Sequence, residues 1–197
     1  MRVLKTGSGQ CSPIQLRVLS SFMLEDKPLK SPHDNVLGRM VEAMASDARL
    51  RKFLEQNQVW HRFIPKLETV HTADAAKAAG VDLHRVTKNL VSETDRGEHV
   101  VLIIPGDRKV NLKAAAKALN VRRVHLVAFA EAEGISGYPP GGTPSVGHKN
   151  KMRTVIDRSL LKYDTVYCGG GSRGKLLELK TEDIVRLNHS IVADITK

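Results

Sequence analysis

The chain has 197 residues, 41% of them hydrophobic, with 31 Lys and Arg against 21 Asp and Glu and a formal net charge of +10. That length supports one well-buried core with a small appendage, and no apolar run approaches the roughly 20 residues of a membrane helix. Two cysteines, Cys11 and Cys168, in no C-x-x-C pair argue against a disulfide framework or a zinc knuckle and point to a reducing, cytoplasmic setting.

Residues 1–34 read as an N-terminal extension, with a short strand over 15–19 and a linker at Pro28, Ser31 and Pro32. Several serines, Arg2, Lys5 and Arg17 precede the first acidic residue, Glu25, a composition also found in organelle transit peptides. The main domain is expected over 35–197. Val36, Met40, Ala43, Met44, Leu50, Phe53 and Leu54 recur at helical spacing, with Asn35 as N-cap, and predict one or two helices up to Asn57. A strand follows over 59–64, then an alanine-rich helix over 73–79 capped by Thr72 and stopped by Gly80. Strands over 87–92 and 99–104 are joined through Asp95, Arg96 and Gly97 as a hairpin, and Pro105 and Gly106 end the second. Asn111 caps a helix over 112–119, followed by a strand over 121–127 and a short helix over 129–133. Past a glycine-rich loop come strands over 165–168 and 176–179, a helix capped by Thr181, and an edge strand over 190–195. This order predicts an α/β single domain with a mixed, largely antiparallel sheet flanked by helices.

The stretch 135–152, ISGYPPGGTPSVGHKNKM, cannot pack a core. Its glycines permit close backbone approach, and Pro139, Pro140 and Pro144 hold one shape, so it reads as a preorganised binding loop; the alternative is a surface linker. Cations are clustered at Arg108, Lys109, Lys113, Lys117, Arg122 and Arg123, and again at Lys149, Lys151, Arg153, Arg158 and Lys162. Clustered cations suit a phosphate-rich partner, the alternative being a solvated basic face.

Several chemistries are excluded by context. Gly169, Gly174 and Lys175 satisfy G-x-x-x-x-G-K, but Leu176 stands where a Mg²⁺-ligating Ser or Thr is required. Gly169, Gly171 and Gly174 satisfy G-x-G-x-x-G, yet 175–180 alternates like a strand where the dinucleotide motif opens a helix. No H-E-x-x-H or G-x-S-x-G occurs. Cys168 at a strand end is either a nucleophile or, as such thiols usually are, a small buried packing group.

Taken in order, Glu68-Thr69-Val70-His71-Thr72, Ala75-Ala76-Lys77, Val86-Thr87-Lys88-Asn89-Leu90-Val91, Ile104-Pro105-Gly106-Asp107, Gly137-Tyr138, Gly141-Gly142, Gly147-His148, Ile156-Asp157 and Gly169-Gly170-Gly171-Ser172-Arg173-Gly174 resemble the YbaK family. These are aminoacyl-tRNA deacylases related to the editing insertion domain of bacterial prolyl-tRNA synthetases. The resemblance spans about 41–188 and implies a trans-acting editing hydrolase that cleaves the ester of mischarged tRNA without metal or diffusible cofactor. Lys88 then occupies the family's functional lysine and Gly141 the first glycine of its G-x-x-x-P loop, the two catalytic candidates. Asn89, Tyr138, Gly142 and His148 are the expected substrate-binding residues, with Tyr138 stacking on the terminal adenine. Lys149, Lys151, Arg153 and Arg173 are expected to hold the tRNA. The partners implied are the acceptor end of a mischarged aminoacyl-tRNA and an aminoacyl-tRNA synthetase, with no membrane. This chain departs from the family loop at Ser145, where proline is usual, with Pro144 one place earlier. A lysine has an ordinary pKa near 10.4, so a neutral base at pH 7 would require about 4 to 5 kcal/mol of environmental shift. Lys88 therefore reads as a charge that binds phosphate or polarises the ester carbonyl. The alternative from another class is a non-catalytic tRNA-binding or translation-associated module using the same pocket.

Overall fold

A computed structural model describes residues 32–197, so the predicted strand over 15–19 and Cys11 lie outside the described residues. Two units are distinguished, Met1–Val36 and Leu37–Lys197, and the second carries both sheets and the candidate site. Eight strands and five α-helices are described: α1 (Pro32–Gln56), β1 (His61–Pro65), α2 (Thr72–Ala79), β2 (Thr87–Thr94), β3 (His99–Pro105), α3 (Leu112–Leu119), β4 (Val124–Leu126), α4 (Phe129–Ser136), β5 (Arg153–Asp157), β6 (Thr165–Gly169), β7 (Lys175–Lys180), α5 (Thr181–Asn188) and β8 (Ile191–Ala193).

The strands form two sheets. One is antiparallel, in the order β1-β7-β6; the other is mixed, in the order β4-β2-β3-β5-β8, with β3, β5 and β8 parallel. β3 is central to the larger sheet and buried on both faces, which is why its sequence is an unbroken apolar run. Alternate β3 side chains serve different cores. Val101 and Ile103, with Ile156 of β5, join Leu50 and Leu54 of α1, Cys168, Leu177, Leu179 and Ile184. Val100, Leu102 and Ile104 face the other way, onto Ala115, Ala116 and Leu119 of α3.

Several expectations need correction. The first segment is one helix, and it begins at Pro32, where a fixed φ and a missing N–H cost nothing in a first turn; Asn35 lies inside it. His71, not Thr72, is the N-cap of α2, and it makes no side-chain capping bond. Asn111 does cap α3, accepting from the Ala114 amide. β5 was not expected at all, since only Val155 and Ile156 in it are apolar, between the basic end of the glycine loop and the 3₁₀ turn at Arg158–Lys162.

Candidate active site

β2 positions the site. β3 pairs with its whole length on one side, but on the other β4 pairs only with Ser92, Glu93 and Thr94. The chain leaves that edge after the Val127 amide bonds to the Val91 carbonyl, and β6 reaches it only at Val86, opposite Tyr167. Between these contacts the edge of β2 opens into a cavity of about 410 Å³. Lys88, Asn89, Leu90 and Val91 line one wall, with Val70 to Ala73 at the start of α2, Leu126, Val127, Phe129, Pro140, Gly141 and Gly169 around it.

Strand alternation sends neighbouring residues to opposite faces. Lys88 pairs with Ile104 and lies on the α3 face, where its Nζ donates to the Arg108 carbonyl at 3.0 Å. Partial burial lowers the Lys88 pKa, Asp107 opposes that shift, and Lys109 adds to it. Asn89 lies on the other face and fastens β2 to the glycine loop. Its Nδ2 donates to the Thr143 carbonyl at 2.8 Å, and its Oδ1 accepts from Ser145 Oγ at 2.9 Å. Both residues border the cavity because it wraps around the open strand edge.

The glycine loop packs backbone to backbone against the segment before α2 and the end of β6. Gly141 has φ of 84°, and a Cβ there would sit 2.7 Å from the Thr69 carbonyl oxygen. Gly169 lies so close under Gly142 and Thr143 that no side chain fits. The Gly141 N–H makes no hydrogen bond among the described residues, whereas the Gly142 N–H donates to the Pro139 carbonyl at 2.8 Å. Gly142, expected among the substrate-binding residues, is instead committed to the loop through both its amide and its carbonyl, which accepts from the Gly171 N–H.

Two more expected substrate contacts are also structural. Tyr138 is fully buried, its hydroxyl donates to the Gly147 carbonyl, and burial pushes its pKa up to about 12. No base can stack on it. His148 does not border the cavity; its Nε2–H donates to the Pro144 carbonyl at 3.0 Å, and burial pulls its pKa down to about 4. Ser145, at the family's proline position, is fully buried with its hydroxyl between Asn89 and Thr87. It thus locks the loop to β2 from beneath. Burial holds the Cys168 thiol up at about 11, so it is a packing group and no thiolate.

The expected tRNA cations separate. Arg173 is exposed beside the cavity, its Nε donating to the Pro140 carbonyl at 3.1 Å. Lys66, which sequence reasoning missed, bonds Thr69 Oγ1 at 2.7 Å and the Arg173 carbonyl. Arg153 sits at the far end of β3, opposite Val100, with its guanidinium on Glu98 and the Leu119 carbonyl. Lys149 and Lys151 are exposed near the C-terminal end of α4, where the Lys149 amide bonds the Ser136 carbonyl. The cluster from Arg108 to Lys117 is nearer, since the Arg108 carbonyl is the Lys88 acceptor and Gly106 borders the cavity. Lys175, the lysine of the apparent phosphate loop, is paired with Asp47 of α1. Burial alone would raise the Asp47 pKa, but Lys175 and Arg51 hold it below the usual carboxylate value. No group of three metal-ligating side chains occurs among the described residues, and no described helix is long and apolar enough to cross a membrane.

Comparison with known proteins meets this geometry. The chain is 28% identical over 148 residues to EbsC of Enterococcus faecalis, named as a Cys-tRNA(Pro)/Cys-tRNA(Cys) deacylase, covering 74% of this chain and 90% of that protein. It is 26% identical to the multifunctional Ser/Thr-tRNA deacylase ProXp-y of Escherichia coli over 66% of this chain and 77% of that one. A crystal structure described as a trans-editing enzyme for prolyl tRNA synthetase shares the fold, with a TM-score of 0.67 at 24% identity, over 77% of this chain and 97% of that one. Residues 66–187, which hold every element of the cavity, match the model of the aminoacyl-tRNA editing domain, and the chain belongs to that family of deacylases.

Proposed function

We propose that the cavity beside β2 is the deacylation site, with Lys88 and the Gly141 N–H as its two electrophilic groups. The protein is a trans-acting editing hydrolase that cleaves the ester of mischarged tRNA, and its catalytic body is assigned to residues 35–197. One observation carries the site assignment: Lys88 and Gly141 border a single cavity on an open strand edge, and the Gly141 N–H has no hydrogen-bond partner among the described residues. Water attacks the ester carbonyl, the carbonyl oxygen becomes an oxyanion facing those donors, and the bond to the ribose oxygen breaks as that oxygen takes a proton. Proton transfer falls to water or to the neighbouring ribose 2′-hydroxyl, since the lysine in the wall remains a cation. Asn89 acts by holding Thr143 and Ser145, and through them the loop that presents Gly141.

The acceptor end enters past Arg173 and the Arg108–Lys117 cluster, which hold phosphates without reading bases. A synthetase is proposed as a docking partner and the cytoplasm as the compartment. The relatives act on Cys-tRNA and Ser/Thr-tRNA, so small side chains are the class proposed for the amino acid.

The experiment is a panel of mischarged tRNAs. Lys88→Ala is expected to lower kcat/KM by roughly 10²- to 10³-fold, the range for removal of one preorganised oxyanion donor. Undiminished cleavage by that variant sinks the assignment of Lys88; tight binding of tRNA with no cleavage of any substrate favours the non-catalytic module.

A further inference from the structure

The cavity has a second end that the deacylation chemistry leaves unused. Leu126, Val127, Phe129 and Ala132 form an apolar shelf where the chain leaves β4 and starts α4. Phe129 is 68% exposed and Leu126 47% exposed. A phenylalanine left largely in water forgoes most of the stabilisation that burying its ring would give. Of the other described Phe, Tyr and Trp side chains, Phe53, Phe63 and Tyr163 lie against the core, Tyr138 and Tyr167 are within it, and Trp60, half exposed, does not border the cavity. Phe129 has no ring or cation partner among the described residues.

The occupant follows from covalent geometry, and rests on the reading that the substrate is an aminoacyl-tRNA. The scissile ester hangs from the ribose of the terminal nucleotide, so that nucleotide's base lies one sugar away from the reacting carbon. A site that holds the ester between Lys88 and Gly141 must either leave the base in water or offer it a surface within the same cavity. The shelf is that surface. It carries no polar side chain, so it would grip the π-face of a base without reading its hydrogen-bonding edge, which suffices for a terminal nucleotide common to every tRNA.

We propose that the Phe129 ring, supported by Leu126, is the platform on which the 3′-terminal base of the tRNA stacks, the role that the buried Tyr138 cannot fill. Phe129→Ala removes no core contact and is expected to fold. It should raise KM for a mischarged tRNA by roughly 5- to 100-fold, the range for loss of one stacked base, with little change in kcat, and Phe129→Trp should restore KM. A mischarged tRNA lacking only its terminal base should be equally poor with the wild-type protein and with Phe129→Ala. An uncharged tRNA with 2-aminopurine at its 3′ end should show stacking-quenched fluorescence on the wild-type protein and none on Phe129→Ala. If the wild-type protein deacylates and Phe129→Ala matches it in KM and quenching, the platform is overturned while the deacylase reading stands. If nothing is cleaved, the fluorescence still decides whether a base stacks at residue 129, apart from the fate of the catalytic reading.

Discussion

At the scale of single residues, the glycine loop is held by groups that look catalytic in the sequence and are structural in the fold. His148 is the clearest case. Its ordinary pKa is about 6.5 and its folded value is about 4, because burial disfavours the charged ring. Between those values the unfolded chain binds a proton that the folded one does not, so stability falls as pH drops from about 6.5 towards 4. At roughly 1.36 kcal/mol per pKa unit the loss is at most about 3 kcal/mol, an upper bound because the ring is still partly exposed. His148→Gln, which keeps a donor for the Pro144 carbonyl, is expected to flatten this part of the curve. Urea midpoints of both proteins between pH 4 and 7 check it; parallel curves would refute the assignment. Gly141 is constrained twice, by a φ of 84° and by the Thr69 carbonyl 2.7 Å from where a Cβ would stand. Gly141→Ala should cost roughly 1 to 3 kcal/mol and should also reduce kcat by moving the amide, whereas thermal and kinetic parameters unchanged from wild type would remove Gly141 from the site.

At the scale of elements, the site depends on β2 being flanked along only part of one edge. Sequence patterning found β2 and β3 because both are long and one is apolar throughout, and it found α3 because Asn111 and the alanine run mark its start and face. It missed β5, Arg153–Asp157, because only Val155 and Ile156 in it are apolar and it follows directly on the polar, basic end of the glycine loop. Yet β5 lies between β3 and β8 and supplies Ile156 to the principal core. Ile156→Ala is expected to destabilise the protein by roughly 2 to 5 kcal/mol, as buried isoleucines generally do. A denaturation midpoint within error of the wild type would mean that this strand is not the packed element described.

At the scale of the whole molecule, the +10 net charge is distributed so that only part of it can serve the cavity. Lys113 and Lys117 are exposed on α3, one turn apart, on the same side of the sheet as Lys88. Arg153, by contrast, lies four residues along β3 from the level of Lys88, roughly 13 Å, with its guanidinium already paired. Replacing Lys113 and Lys117 together by Gln should therefore weaken tRNA binding and reduce the slope of log K against log salt by roughly 0.7 to 0.9 for each phosphate no longer neutralised. Arg153→Gln should leave that slope almost unchanged. The reverse ranking, read from binding isotherms at several salt concentrations, would place the acceptor stem on the other cluster.

What the sequence alone determined is everything that local pattern encodes: the hairpin of β2 and β3, the capped α3, the glycine loop, the basic balance, and the ordered motifs that place Lys88 and Gly141 in a deacylase pattern. Those signals are legible because backbone conformation, burial period and motif spacing are written over a few neighbouring residues. Only the tertiary structure decided that Lys88 and Asn89 leave β2 by opposite faces yet border one cavity, that Tyr138, Gly142 and His148 serve the scaffold, and that Phe129, largely exposed, lines the same cavity. The reason is physical: a cavity wall is assembled from residues far apart in the chain, and whether a side chain is spent on packing or left for a ligand depends on which strand edges the rest of the fold happens to cover.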